Sequence, residues 1–367
     1  MEIRSISVNG FRNYEQAQAV FVPSVNLLVG GNANGKTNLL EAIHYLSTGR
    51  SFRTRKEQEL LRFDAPHAEI LAKIFSQERE RELRALLFAD RRPRQLWLAG
   101  VKLRTSAELS GALTSVLFCP EDLLLLKKGA SNRRKLLDSV ICQLRPNYAA
   151  ALGEYHRLHE QKSALLREQM SSFLAVLPEY NARMAQVGAL LISYRARFLD
   201  ALERSAKAFH AEFSGDSEIL RLEYRTVSTI TDPFAPVDVL RQQLTMHQSS
   251  HAQAELASMQ CLSGPHKDDF TASLNDLPVA QFASQGQTRT AAISIKLAER
   301  DLIYRDTGEL PILLLDDVLS ELDAGRQDFV LNKLTKGQVF ITCCEIDRLT
   351  ALGQVLHIRN GSIEQGA

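Results

Sequence analysis

The chain has 367 residues, 45% of them hydrophobic and 24% charged, with a formal net charge of +1; this is ordinary globular material, enough for two or three domains with substantial cores, and it excludes a disordered polymer. Apolar runs such as Leu123 to Leu126 and Ile312 to Leu315 are far too short to span a bilayer, and Met1-Glu2-Ile3-Arg4-Ser5 opens an alternating strand, not a signal peptide. Five cysteines with no Cys-x-x-Cys spacing support neither a metal cluster nor a disulfide framework, so a reduced cytoplasmic setting is expected.

Residues 2 to 29 read as three strands, with Phe11-Arg12-Asn13-Tyr14 in the first connection and Val25 to Val29 as a short buried strand. That strand feeds Gly30-Gly31-Asn32-Ala33-Asn34-Gly35-Lys36-Thr37, the pattern G-x-x-x-x-G-K-[ST], and Asn38 to Leu46 then carries apolar residues at helical spacing. A strand, a glycine turn and a helix in that order aim several backbone N–H groups and the positive helix end at one point, the place for a polyphosphate. Residues 30 to 38 form its cradle: Gly30 and Gly35 let the backbone approach or turn, Lys36 reaches the β/γ oxygens, and Thr37 offers its hydroxyl to Mg²⁺.

From Arg50 to Lys135 the sequence carries 19 Lys/Arg against 11 Asp/Glu, a surplus of 8 that the remainder offsets. The basic clusters include Arg53, Arg55 and Lys56; Arg91, Arg92 and Arg94; and Arg133, Arg134 and Lys135. One-sided positive charge is the footprint of a phosphate-backbone binder, although solvated loop charges give the same count. Within this stretch Glu69–Phe75, Glu82–Phe88, Gln95–Ala99 and Val101–Arg104 alternate as an antiparallel meander, and Trp97 reads as packed surface.

Beyond Pro120 the period becomes helical, to about Phe213, with Pro178 near Ser171 and Ser172 as the expected reversal of a helical hairpin only a few turns long. Thr231 to Pro236 is a breaker, and one more helix is expected from Val237 to Met259. In Gly264-Pro265-His266-Lys267-Asp268-Asp269 a turn with a solvated imidazole is expected at His266; contact with DNA or bracing of the arm is the other reading.

Ser284-Gln285-Gly286-Gln287 precedes a helix expected from about Thr288 to Tyr304, a second phosphate-binding turn at a helix N-terminus. It lies 32 residues ahead of Asp316 and should stand far from its own glycine loop, so it needs a partner. Ile312 to Leu315 is a wholly apolar run ending in Asp316-Asp317, the pattern of a central parallel strand whose carboxyl end faces the ligand. Asp316 is the candidate magnesium ligand alongside Thr37, and Asp317 the carboxylate to orient or deprotonate water. Lys36 and Asp316 are 280 positions apart, so one site is assembled around a large insertion.

This arrangement resembles that of ABC-type ATPases, in which the signature turn of one subunit closes over the nucleotide of another; Ser320-Glu321-Leu322-Asp323 resembles their D-loop, and the inserted arm resembles the SMC branch. Within that branch Phe11-Arg12-Asn13-Tyr14, Asn34 to Ala42, Gly49 to Arg53, Pro120 to Leu123, Arg133 to Asp138, Gly264 to Asp269 and Leu315 to Val318 are similar to the RecF family of bacterial recombination mediators, in order along the whole chain. The resemblance implies an α/β fold: an ABC/SMC-type ATPase head, a P-loop sheet with an antiparallel β subdomain, interrupted by a helical arm domain. Residues 1–120 and 261–367 are expected to form the head and 121–260 the arm. It further implies a cytoplasmic protein of DNA repair, replication and the SOS response that uses ATP and Mg²⁺ and forms a homodimer on ATP. Its partners would be DNA at gaps or single-strand/duplex junctions and RecR, with RecO and RecA in the pathway, and no membrane. Candidate DNA contacts are Arg53, Arg55, Lys56, Arg133 and Arg134; Arg12 is a further candidate for approach to the nucleotide.

Three departures from the broader ABC pattern stand out. Asp317 replaces the glutamate that follows the magnesium aspartate in transporters, no Q-loop glutamine is recognisable near Cys119-Pro120-Glu121, and Thr342 or a neighbour stands where a switch histidine belongs. A weak, DNA-stimulated hydrolysis that times release is the expectation. A transporter subunit would need a short gap between the two nucleotide motifs, and a vestigial site is at odds with intact Lys36, Thr37, Asp316 and Asp317.

Overall fold

A computed structural model describes residues 1–54, 56–90, 92–168, 171–333, 336–344 and 350–365. Contacts divide the chain into two units, Met1–Leu123 with Lys296–Ala367, and Leu124–Ile295.

The first unit opens with β1 (Glu2–Phe11), β2 (Tyr14–Val20) and β3 (Val25–Val29), then α1 (Lys36–Thr48), β4 (His67–Ser76), β5 (Arg79–Phe88), β6 (Gln95–Leu98), β7 (Val101–Lys102) and β8 (Ser115–Phe118). An antiparallel sheet runs β2-β1-β4-β5-β6-β7. Its alternation is that of a half-buried sheet: Ile70, Ala72 and Ile74 of β4 face the core. A register shift between Ile3 and Ser5 lets Ile3 and Ile6, of opposite parity, both be buried. Trp97 is packed as expected, with the Arg84 guanidinium 4.8 Å over its ring.

The second unit holds α2 (Ala130–Leu144), α3 (Pro146–Glu168), α4 (Ser171–Ser214), β9 (Leu220–Arg225), α5 (Val237–Ser258), β10 (Asp269–Leu274), β11 (Leu277–Pro278) and α6 (Val279–Phe282). The hairpin expected at Pro178 is corrected: Pro178 lies inside α4, which runs 44 residues, about 12 turns. Proline removes one backbone bond and strains a turn, but the remainder of the helix packs a continuous apolar face that includes Met184, Ala185, Ile192, Leu199 and Leu202. A small antiparallel sheet of order β11-β10-β9, absent from the sequence reading, draws residues 269–278 into this unit, where the sequence expectation had them with the head.

The motif Gly264 to Asp269 is knitted into the same unit. Arg195 of α4 grips Asp138 with two hydrogen bonds of 2.9 and 3.0 Å and donates to Asp268 at 2.9 Å and to the Pro265 carbonyl at 2.7 Å. Thr226 donates to Asp268 at 2.7 Å, and the Tyr224 and Tyr148 hydroxyls close the cluster on Asp268 and Asp138. His266 is not solvated: its Nδ1 lies 2.7 Å from the Tyr155 hydroxyl and its Nε2 2.9 Å from the Cys261 carbonyl, and burial pushes its pKa down to about 3.

The chain continues through α7 (Gln285–Thr307), which begins in the second unit and ends in the first, to β12 (Ile312–Asp316), α8 (Ala324–Lys333), β13 (Val339–Cys343), β14 (Gly353–Arg359) and β15 (Ser362–Gln365). The central sheet runs β15-β14-β3-β13-β12-β8, parallel except for β15. β12 is buried along its whole length, as a strand covered on both faces should be. Leu39, Ile43 and Leu46 of α1 pack into one core with Ile70 and Ile74 of the antiparallel sheet and Leu314 and Phe340 of the central one.

Candidate functional site

β3 and β12 are not neighbours; β13 runs between them, with Thr342 opposite both Asp316 and Leu28 and Cys343 opposite Val29. This register brings the Gly30–Thr37 loop and the Asp316-Asp317 pair together at the carboxyl ends of the central parallel strands. The Thr37 hydroxyl donates to Asp316 Oδ1 at 2.8 Å, and the Thr342 hydroxyl donates to the same oxygen at 3.0 Å while accepting the Asp317 N–H at 2.8 Å. Thr342, named in the sequence reading only as a substitute, is thus the strand-end residue that joins both aspartates.

The loop's backbone explains its glycines. Gly35 has φ 116°, and a Cβ there would come 2.7 Å from the Asn13 amide nitrogen; a Cβ on Gly30 would come 2.2 Å from the Ile358 carbonyl. Ala33 sits in the left-handed region at φ 64°. The Lys36 ammonium bonds the Gly30 carbonyl and, at 3.1 Å, the Gly31 carbonyl, so it spans the concavity its own loop makes. The first-turn amides of α1 have no acceptor within the helix, and the positive helix end adds to Lys36.

The connection between β1 and β2 braces this cradle. Asn13 donates to the Asn34 carbonyl at 2.9 Å and accepts from Asn38 at 2.7 Å, and Tyr14 donates to the Gly35 carbonyl at 2.9 Å. Arg12 lies against α1: two hydrogen bonds of 2.8 Å join it to buried Glu41, and a third of 2.6 Å reaches the Glu59 carbonyl. Arg53 donates to Asn38 at 2.7 Å and lies 3.5 Å from Glu41. Glu41 and Asn13 have partners distant in sequence, and no local pattern marks them.

Burial pushes the Asp316 carboxyl above its ordinary range, against the pull of the Thr37 and Thr342 hydroxyls. Asp317 is exposed and has φ 52°, a left-handed backbone that Asp tolerates better than most side chains. Ser320 donates to the Asp317 carbonyl at 2.6 Å and to its carboxylate at 3.2 Å, which ties the Ser320-Glu321-Leu322-Asp323 turn to the acidic pair. Asp323 accepts the Arg326 N–H at 3.0 Å at the start of α8.

In the second unit Ser284 caps α7. Its hydroxyl accepts the Gln287 N–H at 3.1 Å and its N–H reaches the Gln287 side chain at 2.8 Å, a reciprocal capping box. Gln287 also donates to Glu218 at 2.7 Å. Among the candidate DNA contacts, Arg133 is committed to Asp269 at 2.7 and 2.8 Å with only 14% of its side chain exposed, and Arg134 bonds the Asp268 carbonyl. Lys56 is open at 79%. Arg55, and Arg91 of the second basic cluster, lie outside the described residues. No helix among the described residues is long and apolar enough to cross a membrane.

The fold, with the glycine loop and the acidic strand end brought together in the first unit, defines the class: an SMC-type ABC ATPase head. The SMC head domain of Pyrococcus furiosus has the same fold, with a TM-score of 0.54 at 17% identity over 99% of this chain and 95% of that one. The family model "RecF/RecN/SMC N terminal domain" matches residues 2–362. The DNA replication and repair protein RecF of Clostridium botulinum (strain Loch Maree / Type A3) is 33% identical over 100% of both chains. The solved structure of the recombination mediator protein RecF-ATPrS in the RecFOR pathway aligns with a TM-score of 0.92 at 32% identity, over 100% of this chain and 98% of that one. The chain belongs to the bacterial RecF family.

Proposed function

We propose that this chain is an ATP-dependent, DNA-binding recombination mediator that pairs with a second copy on ATP, binds DNA at gaps or single-strand/duplex junctions, and with RecR and RecO promotes RecA loading in the cytoplasm. The observation that carries the reading is the 2.8 Å bond between Thr37 and Asp316, which brings the ends of two segments 279 residues apart together. The relatives' repair role and the ATP analogue named for a full-length structural neighbour support it.

The roles divide by chemistry. The loop of residues 30 to 38 binds the triphosphate through backbone N–H groups, and Lys36 swings from its own carbonyls to the phosphate oxygens. Thr37 and Asp316 offer an all-oxygen pair that fits a hard cation, and those two residues would hold Mg²⁺. When bound, the ion neutralises phosphate charge. Asp317 orients or deprotonates water. Ser284, Gln285, Gly286 and Gln287 of one copy present the capped helix end to the other copy's nucleotide, with Ser320 to Asp323 alongside. DNA is held through its backbone by exposed cations such as Lys56 and Arg53, without reading sequence.

Lys36→Met and Ser284→Arg test the division by sedimentation with ATP and Mg²⁺. Lys36→Met is expected to lose nucleotide binding and dimerisation together. Ser284→Arg is expected to bind nucleotide normally and remain single; a Ser284→Arg dimer would refute the shared site.

A further inference from the structure

Phe63 is the most exposed large hydrophobic side chain among the described residues, at 87%. It does not sit on a loose tail. It occupies the second position of the turn Arg62 to Ala65, closed by a bond of 3.0 Å from the Ala65 N–H to the Arg62 carbonyl, with Asp64 left-handed at φ 62°. The turn is clamped at both ends. The Arg62 N–H donates to the Gly10 carbonyl at 2.7 Å, Leu61 pairs with Phe11, the Arg12 N–H donates to the Leu60 carbonyl at 2.7 Å, and the Ala89 N–H reaches the Pro66 carbonyl at 3.1 Å. Gly10 is required where the chain closes in: its φ is +60°, and a Cβ would come 2.6 Å from the His67 carbonyl.

A backbone held this firmly presents the aromatic ring to solvent at one place on the surface. The strand end it is bonded to also braces the phosphate cradle, through Arg12 on Glu41 and Asn13 on the Asn34 carbonyl. Cations stand nearby in the sequence, interleaved with carboxylates: Arg62, 3.2 Å from Glu15; Lys56, 3.8 Å from Glu59; and Arg53, 3.5 Å from Glu41. An exposed flat apolar face on a held turn, next to the strand end that braces the cradle, suits a ligand that is itself a flat ring.

We propose that Phe63 is a stacking platform for a nucleobase. The base has two possible sources of the same chemistry, the adenine of the nucleotide held by the loop and an unpaired base at a DNA junction. The inference rests on the function proposed above, since both ligands come from it.

The test uses the full chain with Phe63→Ala, Phe63→Leu and Phe63→Trp, each titrated with ATP, inorganic tripolyphosphate, a gapped duplex with an unpaired adenine at the junction, and the same duplex with an abasic nucleotide there. Alanine and leucine are expected to weaken the base-bearing ligand that stacks by about 5- to 150-fold, tryptophan to retain it, and the two baseless ligands to bind as before. Loss confined to ATP assigns adenine; loss confined to the gapped duplex assigns a DNA base. Equal affinities in all variants, or parallel losses for ATP and tripolyphosphate with no selective loss for the base-bearing duplex, would overturn the platform. A wild-type chain that binds none of the four would instead overturn the proposed function, and the platform with it.

Discussion

At Asp316 one carboxylate oxygen accepts hydroxyls from both Thr37 and Thr342, yet burial still lifts its pKa. For an acid raised on folding, the stabilising contribution is complete below the unfolded carboxyl range and is lost as pH climbs through the raised value. Asp316→Asn keeps an acceptor for both hydroxyls and removes the buried charge. The variant without nucleotide should be more stable than wild type by roughly 0.5–2 kcal/mol at neutral pH, with the gap closing toward acid, as sites that give up stability for function do. Thermal melts from acid to neutral pH check this; a variant less stable at neutral pH would contradict it. On the proposed function, Asp317 bears on turnover. Its short side chain, left-handed backbone and bond to Ser320 hold the carboxylate back from where a longer glutamate would reach. Single-turnover ATP cleavage with DNA present should be slow, and Asp317→Asn should abolish it while nucleotide still binds. Vigorous cleavage would remove hydrolysis as a release timer.

Among the elements, α4 carries the charge cluster that ties the Gly264 to Asp269 motif into the second unit. Arg195 is buried, and four bonds from it reach Asp138, Asp268 and the Pro265 carbonyl. Arg195→Met would leave two carboxylates, one fully buried, without their cation, a loss of roughly 3–5 kcal/mol. Denaturant unfolding should show the second unit melting early while Lys36-dependent nucleotide binding persists; an unchanged midpoint would mean the cluster is not holding the unit. None of this was legible in the chain: Arg195 lies 57 residues from Asp138 and 73 from Asp268, and a lone arginine in a helical pattern looks like a solvated one. The strands Leu220–Arg225 and Asp269–Leu274 did leave a trace, since Leu220 and Leu222, and Phe270, Ala272 and Leu274, alternate and are buried. Their shortness, six residues each amid helical stretches, hid it. The glycine loop, the β1 to β3 strands and the apolar run before Asp316 were readable because each states its geometry locally, through a turn that needs glycine or a period that needs two faces. Glu41, Asn13 and Thr342 do their work across tertiary contacts that no spacing encodes.

For the whole molecule, the phosphate cradle and the capped signature helix lie on one chain but in different units, the cradle around Lys36 in the first and Ser284 in the second. On the proposed function, a nucleotide shared between two copies would give each of those features a ligand and would link ATP occupancy to the holding of DNA. Binding energy for ATP then appears as association, so the oligomeric state should follow nucleotide concentration. The most direct measurement is light scattering of the folded wild-type chain across a titration of ATP with Mg²⁺. A mass that doubles as ATP saturates, and falls back when ATP is removed, is the predicted result; a mass that stays at one copy with nucleotide demonstrably bound would contradict the account.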